Sequence, residues 1–219
     1  THQKSSEFIR SICRLIQSQS LTKSIISIFW NKHYKMSIVE DTLRELESTK
    51  NDFWNISRET GDFIEFLIKV SNAQNVLELG TSNGYSGLRI ALALKETGGK
   101  LTTIEYWEKR RSVAIENFKK CGVDDIITAK LGPALVVIEN ELQNEIFDFV
   151  FIDANKAQYI KDFELIHPLL KVGGIIVADD ILSHADPVKP FVEEITHRDD
   201  YSAQILNLPD GVLIARKNK

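Results

Sequence analysis

The chain has little cysteine and no long apolar run. Its 219 residues include two cysteines, Cys13 and Cys121, which lie far apart without His or Cys neighbours at metal-ligand spacing. This pattern excludes a disulfide framework and a zinc site, and it predicts buried thiols. No apolar stretch approaches the ~20 residues that cross a bilayer, and the N-terminal residues lack a secretory cleavage pattern. We therefore expect a cytoplasmic protein without a transmembrane segment.

Charge is unevenly distributed along the chain. The formal net charge is −4, from 27 Lys and Arg against 31 Asp and Glu. Residues 1–35 carry six of the bases and one of the acids, so the rest of the chain is acidic. An acidic body argues against a large nucleic-acid footprint, although the basic N-terminal segment could supply a small one.

The basic segment also has apolar residues at mostly helical spacing. They recur over residues 8–16 and 25–30, which predicts two short amphipathic helices. We expect residues 1–36 to form a helical arm that packs on the body of the protein or on a second subunit, with a membrane-surface helix as the alternative. Residues 37–219 are then expected to form one α/β domain, since they suffice for a single core of ordinary size.

Short apolar strands alternate with helical patterns from residue 75 onward. Strands are predicted near 75–79, 101–105, 126–131, 147–152 and 174–179, and helices near 84–96, 107–121, 133–143, 156–170 and 188–197. This alternation indicates a parallel sheet with right-handed crossovers. Two final strands, near 202–207 and 211–216, flank the turn sequence LPDG and should form an antiparallel hairpin. Two helices are predicted before the first strand, the second of them capped by Ser57.

The sequence NVLELGTSNGYS, residues 75–86, joins an apolar strand to a glycine turn and then to a helix. Open α/β sheets bind ligands at the carboxyl ends of their strands, so this turn is the first candidate site. Its G-x-x-x-G spacing differs from the G-x-G-x-x-G of dinucleotide sites, and the acidic Glu78 would repel a phosphate but attract a cation. The turn therefore favours a sulfonium nucleoside over NAD. The candidate cofactor contacts are Glu78, Gly80, Thr81, Ser82, Gly84, Tyr85 and Ser86.

Further carboxylates end the neighbouring strands. Glu105 closes the second strand about twenty residues after the glycine turn, where an acidic side chain accepts both hydroxyls of a ribose. Asp153 closes the fourth strand and the fifth ends in Asp179 and Asp180, so three carboxylates should meet at one edge of the sheet. Oxygen-only ligands select hard cations, of which Mg²⁺ is the first expectation and Mn²⁺ or Ca²⁺ the alternatives.

Four of these segments together resemble a known enzyme family. ELGTSNGYS, then TTIE at 102–105, FVFIDANK at 149–156 and VADD at 177–180, resemble the S-adenosylmethionine-dependent O-methyltransferases of the catechol and caffeoyl-coenzyme A type. The resemblance covers residues 37–216. It implies a Rossmann-like class I methyltransferase, with a seven-stranded, mostly parallel sheet and a C-terminal antiparallel hairpin, preceded here by the helical extension. It also implies S-adenosylmethionine as methyl donor, a small hydroxylated, catechol-like acceptor, and a homodimer.

The resemblance assigns roles to individual residues. Tyr106 would cover one face of the adenine, and Pro133 and Ala134 would line its edge. Lys156 follows Asp153 at D-x-x-K spacing and would be the base that takes the proton of the acceptor hydroxyl. Asp153 is expected beside it in catalysis, at the cofactor and as a metal ligand. A lysine can be a base only if its pKa is lowered, which a nearby divalent cation would do.

Three residues near the predicted site need separate interpretation. Asp180 stands where the family usually has Asn, and Asp210 is a candidate for the family's orienting carboxylate. His184 is expected to be a loop residue or to lie behind the metal ligands, with substrate contact as the alternative. Two alternatives stay open: a methyltransferase of hydroxylated uridine in tRNA, which the basic arm would favour, and a protein that binds S-adenosylmethionine or a metal without turnover. The tryptophans fall in no motif and are assigned to the core or to an interface: Trp30, Trp54 and Trp107.

Overall fold

The computed structural model describes residues 36–219. The chain divides into two units between Asp41 and Thr42, and the sheet with its surrounding helices belongs to the second unit. The predicted arm over residues 1–36 lies outside the described residues except for Met36, as do Cys13 and Trp30. Cys121 is a buried free thiol, as the sequence predicts. Within the described part of the chain, no helix is both long and apolar enough to cross a membrane.

The described residues form helices and strands that alternate after residue 75. The helices are α1 (36–48), α2 (Lys50–Phe53), α3 (Arg58–Ser71), α4 (Tyr85–Thr97), α5 (Glu108–Cys121), α6 (Ala134–Glu141), α7 (Tyr159–Ile166) and α8 (Ala185–His197). The strands are β1 (Asn75–Leu79), β2 (Lys100–Glu105), β3 (Ile127–Leu131), β4 (Phe147–Ile152), β5 (Leu170–Ala178), β6 (Tyr201–Leu206) and β7 (Val212–Lys217). Short 3₁₀ segments lie at Asp124–Ile126, Lys156–Gln158 and His167–Leu169.

The seven strands described form one sheet in the order β3-β2-β1-β4-β5-β7-β6. The first five are parallel, and β7 runs antiparallel between β5 and β6. The predicted mostly parallel sheet with a C-terminal hairpin is therefore confirmed. The chain moves outward from β1 to β3 and then returns to β4 on the other side of β1. Right-handed crossovers in opposite directions place α4 and α5 on one face of the sheet and α6 and α7 on the other.

The core follows from the central strands, which are covered on both faces. β1 is buried over its last four residues and β4 over all but one, as expected for parallel strands with helices on each side. In α3, the predicted cap is confirmed, because the Ser57 hydroxyl accepts a hydrogen bond from the Thr60 N–H at 3.0 Å. The largest fully buried side chains include Tyr85, Phe118, Phe147, Phe149, Phe151, Tyr159, Phe163 and Phe191.

A buried arginine joins three helices near the first strand. The side chain of Arg89 in α4 is 6% exposed and forms ion pairs with Glu47 of α1 and with Asp62 and Glu65 of α3. Its guanidinium also donates to the hydroxyl of Tyr85 at 3.2 Å. A buried cation is stable only when it is paired in this way. The contact therefore fixes α3 against α4, the helix that follows the glycine turn.

The largest differences from the predicted boundaries are at α7 and β5. The helix predicted over 156–170 is α7 between two 3₁₀ segments, because Pro168 has no N–H to continue the α-helical ladder. β5 begins at Leu170, four residues before the predicted start, and its pairing with β4 shifts register between Phe147 and Phe149. Gly173, with φ 85°, supplies the backbone conformation that lets the strand pass through this irregularity.

Candidate active site

The registers of four adjacent strands align the predicted site residues in one row. Leu79 of β1 pairs with Ile104 of β2 and with Ile152 of β4, and Ile152 pairs with Ala178 of β5. The next residue on each strand therefore lies at the same carboxyl edge of the sheet. These four residues are, in spatial order, Glu105, Gly80, Asp153 and Asp179.

The glycine turn connects the middle of this row to α4. Gly80 has φ 98°, and a Cβ there would lie 2.0 Å from the carbonyl oxygen of Asp153, so only glycine lets the two strand ends approach. Gly84 has φ 88° and is the N-cap of α4. Ser82 between them also has a positive φ, 50°. The turn thus ends at the start of a helix, where the dipole is positive.

Glu78 lies beneath the turn and is fully buried. Its Oε2 accepts from the Thr103 hydroxyl at 2.6 Å, and its Oε1 has no hydrogen-bond partner. Burial raises the pKa of Glu78 to about 7, against the hydrogen bonds from Ser86 and Thr103 that lower it. The Glu78 carboxyl group therefore does not face open solvent. It would attract a cationic ligand only from beneath the glycine turn. The assignment of Glu78 to the cofactor stays a prediction.

Glu105 is held at the end of β2 by two backbone N–H groups. Its Oε2 accepts from Ser82 N at 2.8 Å, and its Oε1 accepts from Trp107 N at 2.9 Å. The residue is 7% exposed, at the edge of the sheet. Each carboxylate oxygen has two acceptor lone pairs, so each retains one for a further donor. This fixed, half-satisfied carboxylate is suited to two neighbouring hydroxyls.

The other residues predicted for the nucleoside differ in exposure. Tyr106 is 65% exposed and next to Glu105, whereas Tyr85 is 1% exposed, with its hydroxyl donating to Glu47 at 2.9 Å. The Tyr85 side chain therefore lies in the helix packing, and a ligand could meet only its backbone. Pro133 is the N-cap of α6, and Ala134 is the first residue of that helix. Thr81 bonds to Thr103 beneath the turn.

Two of the tryptophans assigned to the core or to an interface do not lie in the core. Trp54 is 71% exposed and Trp107 is 52% exposed. Each indole instead stacks on the guanidinium of Arg110, whose Cζ lies 4.8 Å from the Trp54 ring centre and 4.9 Å from that of Trp107. A cation between two π faces keeps large apolar rings at the surface, which a hydrophobic pattern alone does not reveal.

Lys156 lies between two of the three predicted metal ligands. Its Nζ is 2.5 Å from Oδ1 of Asp153 and 2.8 Å from Oδ2 of Asp180. Burial lowers the pKa of Lys156, but Asp153, Tyr159 and Asp180 outweigh it and hold that pKa well above its usual value. Burial raises the pKa of Asp153 in spite of the ammonium. In this arrangement Lys156 is a cation and cannot take a proton.

Asp179 is the unsatisfied member of the group. It is 3% exposed, and its Oδ1 has no hydrogen-bond partner. Burial, followed by the charges of Asp153 and Asp180, raises the pKa of Asp179 to about 8. Orphaned buried oxygens are rare in folded proteins, and a bound ion is one of the partners that can satisfy them. Three carboxylates with one free oxygen form a donor set that fits a hard divalent cation.

The described side chains are nonetheless not arranged as a metal cage. No group of three or more His, Cys, Asp or Glu residues within 36–219 has the geometry to hold an ion. The ammonium of Lys156 instead neutralises Asp153 and Asp180. A divalent cation on the three aspartates would have to take over these contacts.

Sequence reasoning missed several residues that support the site. The Tyr159 hydroxyl donates to the carbonyls of Ile152 at 3.2 Å and Asp179 at 3.3 Å, which ties the ends of β4 and β5 together. Ser183 donates to Oδ1 of Asp180 at 2.9 Å, where Asp180 has a positive φ of 64°. The one local sign of this contact in the sequence is that Ser183 follows Asp180, the aspartate beyond the strand end, by one turn.

The two remaining candidates lie beside the aspartates. His184 is an exposed loop residue just before α8, and its ring accepts or donates a hydrogen bond with Ser183 at 3.0 Å. Asp210 lies in the turn between β6 and β7, where its carbonyl accepts from Leu182 N and Ser183 N. Its carboxylate is 3.5 Å from the ammonium of Lys50 in α2. These contacts do not test whether Asp210 orients an acceptor, so that assignment stays a prediction.

Comparisons with known proteins point to one family. The O-methyltransferase family model matches residues 31–217. Caffeoyl-CoA O-methyltransferase of Medicago sativa and caffeoyl-CoA O-methyltransferase 1 of Arabidopsis thaliana are each 35% identical, over 80% and 68% of this chain. The chain spans 72% and 61% of their respective lengths. The structure of an O-methyltransferase from Bacillus cereus in complex with SAH is 30% identical, with a TM-score of 0.73, and covers 83% of this chain and 91% of that chain.

Proposed function

This chain belongs to the O-methyltransferase family and is a transferase of that class, and we propose that it methylates a hydroxyl of a small catechol-like acceptor, using S-adenosylmethionine and a divalent cation. The observation that carries the proposal is the row at the carboxyl edge of the sheet. One end of that row is the half-satisfied carboxylate of Glu105, and the other is the group of Asp153, Asp179 and Asp180. The glycine turn separates a nucleoside end from an acceptor end.

At the nucleoside end, Glu105 would accept both ribose hydroxyls. Its two oxygens are fixed by Ser82 N and Trp107 N, so a vicinal diol meets two prepared acceptors. The N-terminal end of α4 would bind the carboxylate of the methionine moiety, since a helix N-terminus favours an anion. The Bacillus cereus relative, which holds SAH, supports this choice of cofactor.

At the acceptor end, Asp153, Asp179 and Asp180 would hold the cation, with Mg²⁺ as first choice. Their donor chemistry fits, because Asp179 has a buried oxygen without a partner and all three carboxylates share one edge. A bound divalent cation would acidify an acceptor hydroxyl and orient it. The extra negative charge of Asp180, relative to the usual Asn, would strengthen the binding of the cation.

Lys156 would be the base of the reaction. It can accept a proton only when another cation compensates Asp153 and Asp180, since its own charge now does so. Its Nζ would then take the proton of the acceptor hydroxyl. The hydroxyl oxygen would form the new bond to the methyl carbon as the bond from that carbon to sulfur breaks, with its electron pair left on sulfur. Holding oxygen and methyl in line contributes most of the rate, because the sulfonium methyl is already activated.

The test is methyl transfer from S-adenosylmethionine to a panel of catechols, with Mg²⁺ and with excess chelator. Hydroxyuridine-containing tRNA serves as the rival acceptor, and the residues that motivate it, the basic arm, lie outside the described part of the chain. Turnover with catechols that needs Mg²⁺ supports the proposal. Turnover with tRNA alone assigns the acceptor to the rival. Binding of the nucleoside without turnover on any acceptor would leave the non-catalytic alternative.

The proposal also covers the oligomeric state of the protein and its location in the cell. We propose a homodimer, as the family resemblance implies, and a cytoplasmic setting, in keeping with the scarcity of cysteine. Sedimentation of the full chain at several concentrations would test the dimer. A mass of one chain at every concentration would refute it.

A further inference from the structure

Arg110 lies between two exposed indoles at the nucleoside end of the site. Its Cζ is within 5 Å of both ring centres, Trp54 from the end of α2 and Trp107 from the start of α5. The Phe53 ring is also near, at 6.0 Å. A planar guanidinium can stack on two faces at once, which fixes both indoles relative to each other. The stack therefore joins α2 to α5 across the end of β2.

Each indole is also connected to the carboxylate of Glu105. On one side, Trp107 N donates directly to Glu105 Oε1 at 2.9 Å. On the other side, Ser82 N donates to Glu105 Oε2 at 2.8 Å, and the Ser82 hydroxyl donates to the carbonyl of Phe53 at 2.7 Å. Phe53 is bonded covalently to Trp54. Contacts thus run in a closed ring from Glu105 through Ser82, Trp54, Arg110 and Trp107 and back to Glu105.

The backbone at two points of this ring is held in an unfavourable conformation. Trp54 has φ 57° and Ser82 has φ 50°, in the left-handed region that side chains other than glycine seldom occupy. Such conformations persist only where surrounding contacts impose them, and they concentrate at functional sites. Trp54 is the left-handed C-cap of α2, where its N–H donates to the carbonyl of Lys50. The link between its exposed ring and that of Trp107 is the shared stack on Arg110. The ring of contacts therefore depends on Arg110 for its closure.

We propose that Arg110 is a positioning residue for the nucleoside: by holding Trp54 against Trp107, it fixes the two N–H groups that aim the Glu105 carboxylate at a ribose. This inference rests on the proposed function. Arg110 itself need not touch the ligand. Opening the stack would let the Ser82 turn and the start of α5 move independently, and the two oxygens of Glu105 would no longer be held for a diol.

The test is calorimetric titration of the full chain with S-adenosylhomocysteine. Arg110→Gln should weaken binding about five- to thirtyfold, the range for losing two exposed cation–π contacts. Lys109→Gln is the matched control, since it removes the same charge from the adjacent, exposed position and should leave the affinity unchanged. Arg110→Lys keeps the charge without the flat double stack and should recover less than half of the loss. Trp54→Leu opens the ring from the other side with no change of charge, and should weaken binding similarly.

A double-mutant cycle separates positioning from a general structural effect. In a Glu105→Gln background, Arg110→Gln should change the affinity by less than about twofold, because the group through which it acts is already impaired. Equal losses in both backgrounds would overturn the inference, as would full recovery in Arg110→Lys. If the wild-type chain binds no S-adenosylhomocysteine, the proposed function fails. If the wild type binds and Arg110→Gln and Trp54→Leu bind equally well, only the role of Arg110 is refuted.

Discussion

The ammonium of Lys156 lies 2.8 Å from Asp180, so the predicted base and a predicted metal ligand neutralise each other. The same ammonium contacts Asp153 at 2.5 Å. The pKa of Asp180 is lowered in spite of its burial, chiefly by this ammonium. Lys156 therefore cannot act as a base while it neutralises the aspartates that are predicted to bind the metal. Lys156 is the ion-pair partner of both aspartates here, and under the proposed mechanism it would become available as a base when another cation replaces it.

The first prediction follows from this exclusion. Lys156→Ala should bind Mg²⁺ at least as tightly as the wild type, because the cation no longer competes with an ammonium for Asp153 and Asp180. Catalysis should fall by ~10²–10⁴-fold, the usual contribution of a positioned base. Calorimetry with Mg²⁺ and single-turnover methyl transfer measure the two effects. Weaker Mg²⁺ binding in Lys156→Ala would contradict competition for the same carboxylates.

The second prediction concerns the metal ligands themselves. Excess chelator should abolish turnover but leave S-adenosylhomocysteine binding largely intact, because the proposed cation would contact the acceptor and not the methyl donor. Asp179→Ala should remove turnover together with the response to Mg²⁺. Asp180→Asn should weaken Mg²⁺ binding for lack of one charge and keep or improve catalysis, since it restores the usual family ligand. Full activity of the wild type in chelator would mean that the three aspartates are structural.

The third prediction tests the nucleoside end. Glu105→Ala should weaken S-adenosylhomocysteine binding by about 1.5–3 kcal/mol, the range for losing hydrogen bonds to a charged group. Glu116→Ala, at an exposed position in α5, is the control and should have no effect on affinity. Calorimetry at constant ionic strength gives both values. An affinity unchanged by Glu105→Ala would remove this residue from the site.

The row of site residues could be predicted because it depends on local pattern. Apolar runs that end in Glu105, Gly80, Asp153 and Asp179 are strands, and parallel strands share their carboxyl edge whatever the details of packing. Register then places the four residues side by side. No long-range contact had to be known for this inference.

Other features depend on contacts between distant segments and left little local signal. Trp54 and Arg110 are far apart in sequence, so their stacking could not be read from either segment. Lys156 is near Asp153 in sequence, but its contact with Asp180 requires β4 and β5 to be adjacent and Asp180 to adopt its positive φ. The complete burial of Glu78 likewise depends on Thr103 and the packing of α4.

The fourth prediction concerns the buried arginine. Arg89→Met keeps the apolar stem but leaves Glu47, Asp62 and Glu65 without their shared cation, and should lower the free energy of unfolding by about 3 kcal/mol. Lys95→Met, which removes a surface ion pair with Asp125, should cost less than about 1 kcal/mol. Urea unfolding at pH 7 compares them. Similar small losses in both variants would show that Arg89 contributes no more than a surface pair.

The last prediction is a pH dependence of stability that originates at Asp162 in α7. This residue is 1% exposed, and neither carboxylate oxygen has a hydrogen-bond partner. Burial raises the pKa of Asp162 from 3.8 to about 7, so the folded chain retains a proton that the unfolded chain has released. Between these two pKa values, folding therefore takes up a proton at Asp162. The contribution of Asp162 to the free energy of unfolding is highest at low pH and falls as the pH rises toward 7.

Asp162→Asn removes this titration while keeping the shape of the side chain. Relative to the wild type, the variant should gain on the order of 2 kcal/mol in free energy of unfolding between pH 5 and pH 7, at about 1.4 kcal/mol per pH unit at most. Glu78 and Asp179 also have raised pKa values, but both chains contain them, so their contributions cancel in the difference. Asp124→Asn, at an exposed position, is the control for the loss of a carboxylate. Urea unfolding of all three chains across this pH range measures these differences. If the difference between Asp162→Asn and the wild type does not change with pH, the Asp162 carboxyl group of the folded wild type ionises normally.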